Sequence, residues 1–540
     1  MVTFCIALAC LVLGYFIYGT FVEKVFGVDS SRTTPCYTKR DGADYIPMPT
    51  WKVYTVQFLN IAGTGPIFGA MMGVLYGPAA FLWIVFGCIL GGAMHDYMAG
   101  MISIRRGGMG LPEIIGDELG SVCRLVMRVV TLVLMICVGA SFVLIPAGLM
   151  EQLTLRLFDV PETYLIWTVL ILVFYLAVTV FSINKVIGTI YPVFGAALLI
   201  MAVLIGFGIF THEGNIPSLA EAFTDHYPVS YTPLFPGLFI TIACGAVSGF
   251  HATQSPMMAR CIKNEKYGLR CFYGAMVTEG VVALIWAAAA MKFVDMMDIA
   301  GSTPYEKLYN AMTACGTVKM NPGLLVERMC NDWLGNAGLV LAVLGIVAAP
   351  MSTGGSAFRA ARMIVADFSH YDQKPLVKRL ILTAPLFAVA IAMLNVSSFK
   401  VLWLYVSWFN QVLATFTFFT IAHFLKHRTD GKGILPRWSW LIAYFPAVFM
   451  CAVSACFILI DKENGFGLDT TTGYIIGGAF TLIVSIGTFW RICNRSGGFA
   501  IRQRKEYKHL QCETKKGIAN PKTQNGRIAN PPEQVKMKNE

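Results

Sequence analysis

Apolar residues in this chain gather into runs of about 20, separated by short polar stretches, and the pattern repeats as far as residue 490. A run of that length lets a helix cross a ~30 Å hydrocarbon core. In lipid every backbone N–H and C=O must be paired internally, so such runs predict helices; a barrel would show short alternating strands. Thirteen spans are predicted, at 2–22, 53–75, 79–102, 125–150, 163–183, 187–210, 237–257, 271–291, 337–357, 380–396, 401–424, 439–460 and 472–490. The fold class is therefore an all-α integral membrane protein with about 13 transmembrane helices. Span 1 has no basic n-region and no clear small-x-small cleavage site, which predicts a retained helix rather than a signal peptide.

Composition agrees with this pattern. Of the 540 residues 56% are apolar and 14% charged, against about 45–50% and about 25% in an average soluble domain. The formal charge of +11 is not a nucleic-acid signature, because the basic residues follow the loops. With the N-terminus outside, 35 of the 42 Lys and Arg residues fall on segments facing the cytoplasm, and 7 on the other side. That asymmetry is the positive-inside pattern, and it predicts a multi-pass protein with N-terminus outside and C-terminus cytoplasmic. None of the 15 cysteines has C-x-x-C spacing, and no His/Cys cluster resembles a metal site. The expectation is packing cysteines and no cofactor. Cys315 and Cys330 are the two cysteines of the long outer loop at 292–336, where a disulfide is the alternative to two free thiols.

The helix breakers organise the interior. Span 2 contains Asn60-Ile61-Ala62-Gly63-Thr64-Gly65-Pro66-Ile67-Phe68-Gly69, and span 7 contains Thr241-Ile242-Ala243-Cys244-Gly245-Ala246-Val247-Ser248-Gly249-Phe250-His251. Each is an apolar helix interrupted near its middle, where freed backbone groups are tolerable only against protein or a water-filled cavity. The breaks lie five spans apart and run in opposite directions, so spans 2–6 and 7–11 form an inverted repeat. Interrupted helices at matching places in two such halves point to a transporter's substrate site. The candidate substrate-binding residues are Gly63, Thr64, Gly65, Pro66, Gly245, Ser248, Gly249 and His251. Gly69, Gly73, Gly87 and Gly91 fit close helix packing better.

The domain organisation follows: 1–52 is an extra N-terminal helix and cytoplasmic linker, 53–210 the first repeat, and 237–424 the second. Residues 439–490 are two further helices, and 495–540 a basic, apolar-poor tail expected to be disordered.

Several motifs resemble the carbon-starvation protein A family. They are Asp41-Gly42-Ala43-Asp44-Tyr45-Ile46-Pro47, Asn60 to Pro66, His95-Asp96-Tyr97 with Ser103-Ile104-Arg105-Arg106, Gly249 to Pro256, and Tyr273 to Gly280. The similarity covers roughly residues 10–490. It implies membership of the amino acid–polyamine–organocation transporter superfamily, with a five-plus-five inverted-repeat (LeuT-like) core, in the bacterial plasma (inner) membrane. It also implies uptake of peptides or pyruvate during carbon starvation, with proton symport for pyruvate carriers. The chain is shorter than the longest members, so the substrate stays open.

Ionisable residues inside spans are costly and read as functional by default. Glu279 in span 8 is the first candidate for proton coupling; Asp96 and His95 in span 3 follow. The alternative for Asp96 is a partnership with Arg105 or Arg106. At the end of span 9, Ser352, Thr353 and Ser356 offer oxygens to Na⁺, the competing coupling ion; interhelical hydrogen bonding is their other reading. Trp408, Asn410 and Gln411 are candidates for the pathway wall.

The leading function is cation-coupled symport, with the proton first, of a small organic nutrient, pyruvate before short peptides. A nutrient-binding membrane sensor is the alternative. A membrane enzyme is disfavoured because no H-E-x-x-H, G-x-S-x-G or phosphate loop is present. The expected partners are a small-molecule substrate and the bilayer, with no nucleic acid and an open oligomeric state.

Overall fold

The computed structural model of the chain describes residues 1–228, 232–313, 322–371, 373–396, 399–428, 433–435, 437–462 and 465–494; side chains are described at these positions except 156, 157, 324, 336–344, 395, 396 and 399–404. Among the described residues every regular element is a helix. Eight helices among the described residues are long and apolar enough to cross a membrane, and a bent pair makes a ninth.

The order begins with α1 (Val2–Phe26), α2 (Thr50–Ala62) and α3 (Gly65–Tyr76), the last two meeting at a 53° bend. Next come α4 (Ala79–Arg105), α5 (Leu111–Leu119), α6 (Ser121–Phe158), α7 (Tyr164–Val180) and α8 (Ile187–Thr211). The second interrupted run gives α9 (Leu234–Thr241) and α10 (Gly249–Ala259), followed by α11 (Glu265–Asp295) and α12 (Pro304–Thr313). The chain continues with α13 (Pro322–Ser369), α14 (Leu376–Val396), α15 (Phe399–His427), α16 (Leu441–Ile460) and α17 (Thr470–Asn494).

Each of the thirteen apolar runs lies on helical backbone, or on a helix pair at 53–75 and 237–257. The segment at 292–336 is not a plain loop. It holds α12 and the start of α13, which kinks at Gly335, where φ is +65°. The left-handed region suits glycine and interrupts the helix just before the predicted span at 337. Cys315 and the tail from 495 lie outside the described residues, while Cys330 is a buried free thiol.

Burial separates centre from rim. In α11 83% of the apolar window is buried in protein, against 22% in α17, whose exposed Ile475, Ile483 and Trp490 form a continuous apolar face. Such faces suit lipid rather than water. In the interior α10 packs on α4 and α15, α11 on α2 and α3, and α13 on α6, α7 and α8. The two breaks therefore sit in the middle of the bundle.

Candidate functional site

The first break is built by its own sequence. α2 ends at Ala62, Gly63 takes φ +44°, and α3 restarts at Gly65 with Pro66 in its first turn. An N–H there has no helical partner to lose, so proline is tolerated where it would break a helix interior. The second break runs from Ile242 to Ser248, with Gly245 at φ +89° and Ser248 preceding α10.

The two breaks touch. A Cβ placed on Gly65 would lie 2.3 Å from Cys244 Cβ, one on Gly69 would lie 3.0 Å from the Thr241 carbonyl, and one on Gly73 would strike Ile242. Gly69 and Gly73 thus serve packing, as expected. Gly91 does so against Val247, while Gly87 faces Trp83 of its own helix.

Beside this contact lies a small cavity of about 30 Å³. Gly63 and Gly65 form one wall, Thr241 and Cys244 the facing one. Phe142 and Val138 of α6, Phe250 of α10, Thr353 of α13, and Ser407 and Asn410 of α15 complete it. Among the described residues no charged side chain lines it. Thr64 Oγ1 and, one turn earlier, Asn60 Oδ1 are buried nearby without a hydrogen-bond partner among the described residues. Of the predicted substrate residues, Gly63 and Gly65 line the cavity, while Thr64, Pro66, Gly245, Ser248, Gly249 and His251 are not among its lining residues.

Behind Cys244 the ionisable residues form one chain. His95 Nδ1 lies 2.9 Å from Asp96 Oδ1, and Asp96 Oδ2 lies 3.1 Å from His251 Nδ1. His251 Nε2 faces Glu279 Oε2 at 3.6 Å, and Glu279 Oε1 accepts the Gly245 amide at 3.1 Å. All four side chains are fully buried. His95 Nε2 has no hydrogen-bond partner among the described residues, and His251 Nε2 and Glu279 Oε2 face each other just beyond hydrogen-bonding distance. The other reading of Asp96 does not hold: Arg105 pairs with Glu265, and Arg106 with Asp117 and Glu118. Cys244 Sγ, a His251 ring nitrogen and a Glu279 oxygen lie within 4.8 Å of one another, a grouping of metal-ligand types that sequence spacing did not reveal. Cys244 comes from the second break, His251 from α10 and Glu279 from α11.

In the second break the Gly245 amide donates to Glu279, and at the start of α10 the Phe250 amide donates to Asn410 Oδ1 at 3.0 Å. The Ser356 hydroxyl donates to the Thr353 carbonyl at 3.0 Å within its own helix. Ser352 and Thr353 reach the Leu59 carbonyl of α2 at 3.3 and 2.8 Å, next to the first break. Gln411 ties α15 to the Phe239 and Val247 carbonyls, whereas Trp408 donates to Ser454 of α16, away from the cavity.

The Asp41–Pro47 motif has a local explanation. Asp41 Oδ1 accepts the amides of Ala43, Asp44 and Tyr45, and Gly42 takes φ +75°. This turn inserts Asp44 between Arg359 and Arg362 of α13, at 2.5 and 2.8 Å. Burial alone would raise the Asp44 carboxyl. Arg362, then Arg359 and Arg260, outweigh it and hold the group well below the usual carboxylate range.

Fold and composition together define a multi-pass, all-helical membrane protein. A structural likeness agrees: the crystal structure of a manganese transporter mutant from Eremococcus coleocola superposes with a TM-score of 0.51 at 15% identity, covering 86% of this chain and 99% of that one. The chain belongs to the carbon starvation protein CstA family, whose profile matches residues 1–220 and 196–329. An uncharacterized membrane protein of Haemophilus influenzae is 41% identical over 55% of this chain and 92% of its own. The pyruvate/proton symporter BtsT of Escherichia coli is 27% identical over 63% of this chain and 55% of its own. The peptide transporter CstA of Campylobacter jejuni is 28% identical over 52% and 48%. The chain thus spans about half the length of these named transporters. Transporters, not enzymes, are what it is similar to.

Proposed function

We propose that the chain is a secondary active transporter, a cation-coupled symporter of a small organic nutrient. Pyruvate is the first candidate and short peptides the second. The carrying observation is the pair of facing breaks enclosing an uncharged cavity, with unpartnered polar atoms at their backs. A carboxylate entering there would meet the Gly65 amide and the Asn410 side-chain amide, with apolar walls for its carbon skeleton.

In this reading thirteen helices cross a bacterial plasma membrane with the N-terminus outside. Residues 53–210 and 237–424 are the inverted halves, and alternating access rocks one against the other. The coupling ion is the proton. Glu279 carries it first, and His251 relays it toward Asp96 and His95. A buried carboxylate without a matching cation lowers its cost by taking up a proton. Sodium is the competing scheme, supported by Ser352 and Thr353 beside the Leu59 carbonyl.

Uptake of labelled pyruvate and of a labelled dipeptide into proteoliposomes tests the reading. Accumulation driven by an inwardly directed proton gradient without sodium is expected. Binding without any translocation would turn the protein into a sensor and end the proposal.

A further inference from the structure

A second recess lies on the outer wall of the bundle, between α1, the start of α2, and α11. It holds about 510 Å³ and opens sideways, where lipid would be. Its two ends differ chemically. At one end stand Trp51, 58% exposed, and Arg270, five residues into α11. Along the other part run Val12 and Phe16 of α1, 45% and 63% exposed, facing Val277 and Val281 of α11. From Arg270 to Val281 the wall rises about 16 Å along the helix, at ~1.5 Å per residue.

Arg270 is the sole charged residue lining the recess, is exposed, and has no hydrogen-bond or ion-pair partner among the described residues. Tyr54 and Thr278, which also line it, satisfy each other through a hydroxyl pair at 2.6 Å. One cation is therefore left over at the polar end of an apolar slot. The recess is also formed by irregular helix: π-helical turns at Tyr15–Gly19 and Leu269–Tyr273 face each other, with the Tyr15 and Tyr273 rings 6.1 Å apart. π turns inside α-helices occur frequently at functional sites.

We propose that this recess seats an anionic phospholipid, its phosphate on Arg270, its glycerol region beside Trp51, and one acyl chain along Val12, Phe16, Val277 and Val281. The matching of charge at one end and apolar wall at the other selects this occupant. A phosphate in the surface layer meets an unpaired guanidinium, and an indole sits at headgroup depth. Exposed Lys263 and Lys266 just before Arg270 add to the positive field there. The inference is independent of which solute is transported.

Native mass spectrometry of the full chain in detergent, given equal phosphatidylglycerol and phosphatidylcholine with identical chains, tests it. The wild type should retain phosphatidylglycerol over phosphatidylcholine by about tenfold. Arg270→Gln should level the two, Arg270→Lys should keep most of the preference, and Val281→Trp should weaken retention of both by filling the apolar end. Equal retention by the wild type, or an unchanged preference in Arg270→Gln, would overturn the proposal. So would a dimer whose interface covers Val12 and Phe16, since a second copy would then occupy the recess.

Discussion

The two helix breaks meet in the middle of the bundle, yet they are wired differently. The first, around Gly63–Pro66, has no acidic or basic partner among the described residues; its neighbours are Cys244, Phe142 and the hydroxyl of Thr353. The second, around Gly245–His251, is tied to buried acids: Glu279 holds the Gly245 amide and Asp96 holds the His251 ring. A break without charge can shape a cavity, because its geometry does not depend on proton occupancy. A break held by a carboxylate and an imidazole changes its bonding when a proton arrives. Under the proposed function, solute selection falls to the first break and coupling to the second, with Cys244 as the shared wall.

The side of the first break is also clamped from outside the bundle. α13 touches it through Thr353 and reaches the linker through Arg359 and Arg362 on Asp44. Asp44→Asn leaves those arginines buried against a neutral amide and should cost about 3–5 kcal/mol of stability. Thermal unfolding of the purified protein checks it. The sign of the pH dependence follows from the depressed carboxyl. Its contribution is full above the unfolded value of about 4 and is lost as pH falls through the lower folded value.

Overfilling the contact between the breaks comes next. Gly65→Ala puts a Cβ onto Cys244 and should weaken solute binding by about 1–3 kcal/mol, roughly 5- to 150-fold. Adding Cys244→Gly removes the obstructing atoms and should recover most of that loss. If the second change leaves the defect untouched, the breaks are not coupled through this contact.

Asn410→Ala strips the acceptor from the Phe250 amide at the start of α10 and should lower solute affinity about tenfold. Titration of labelled solute measures it. The smallest effect is expected from Thr353→Val, about threefold, since an interhelical hydrogen bond in a membrane averages ~0.6 kcal/mol. If that variant instead abolishes accumulation and makes sodium irrelevant to uptake, sodium is the coupling ion.

How much of this was legible in the sequence depends on the range of the interaction. The apolar runs, their positions and both breaks were legible because lipid forces local pairing of the backbone and glycine and proline mark where that fails. The candidate acids were legible as charges in apolar runs. Their mutual arrangement was not. His251 faces Glu279 and Asp96 from different helices, so nothing in local spacing announces the chain of contacts. Cys244 was set aside as packing because a lone thiol in an apolar run has no distinguishing pattern. Ser356 was grouped with Ser352 and Thr353 by proximity in sequence. One further turn of helix lets its hydroxyl bond the Thr353 carbonyl instead of reaching α2. Asp44 was visible only as part of a motif; its pairing with α13 spans more than 300 positions.

The division of labour between the breaks is tested most directly by Glu279→Gln in proteoliposomes, with solute exchange and proton-driven accumulation measured side by side. Glutamine keeps an oxygen for the Gly245 amide but cannot cycle a proton. The account predicts near wild-type exchange with accumulation lost, while Gly65→Ala impairs both. Accumulation that persists under a proton gradient in Glu279→Gln, or exchange that disappears with it, would contradict the assignment.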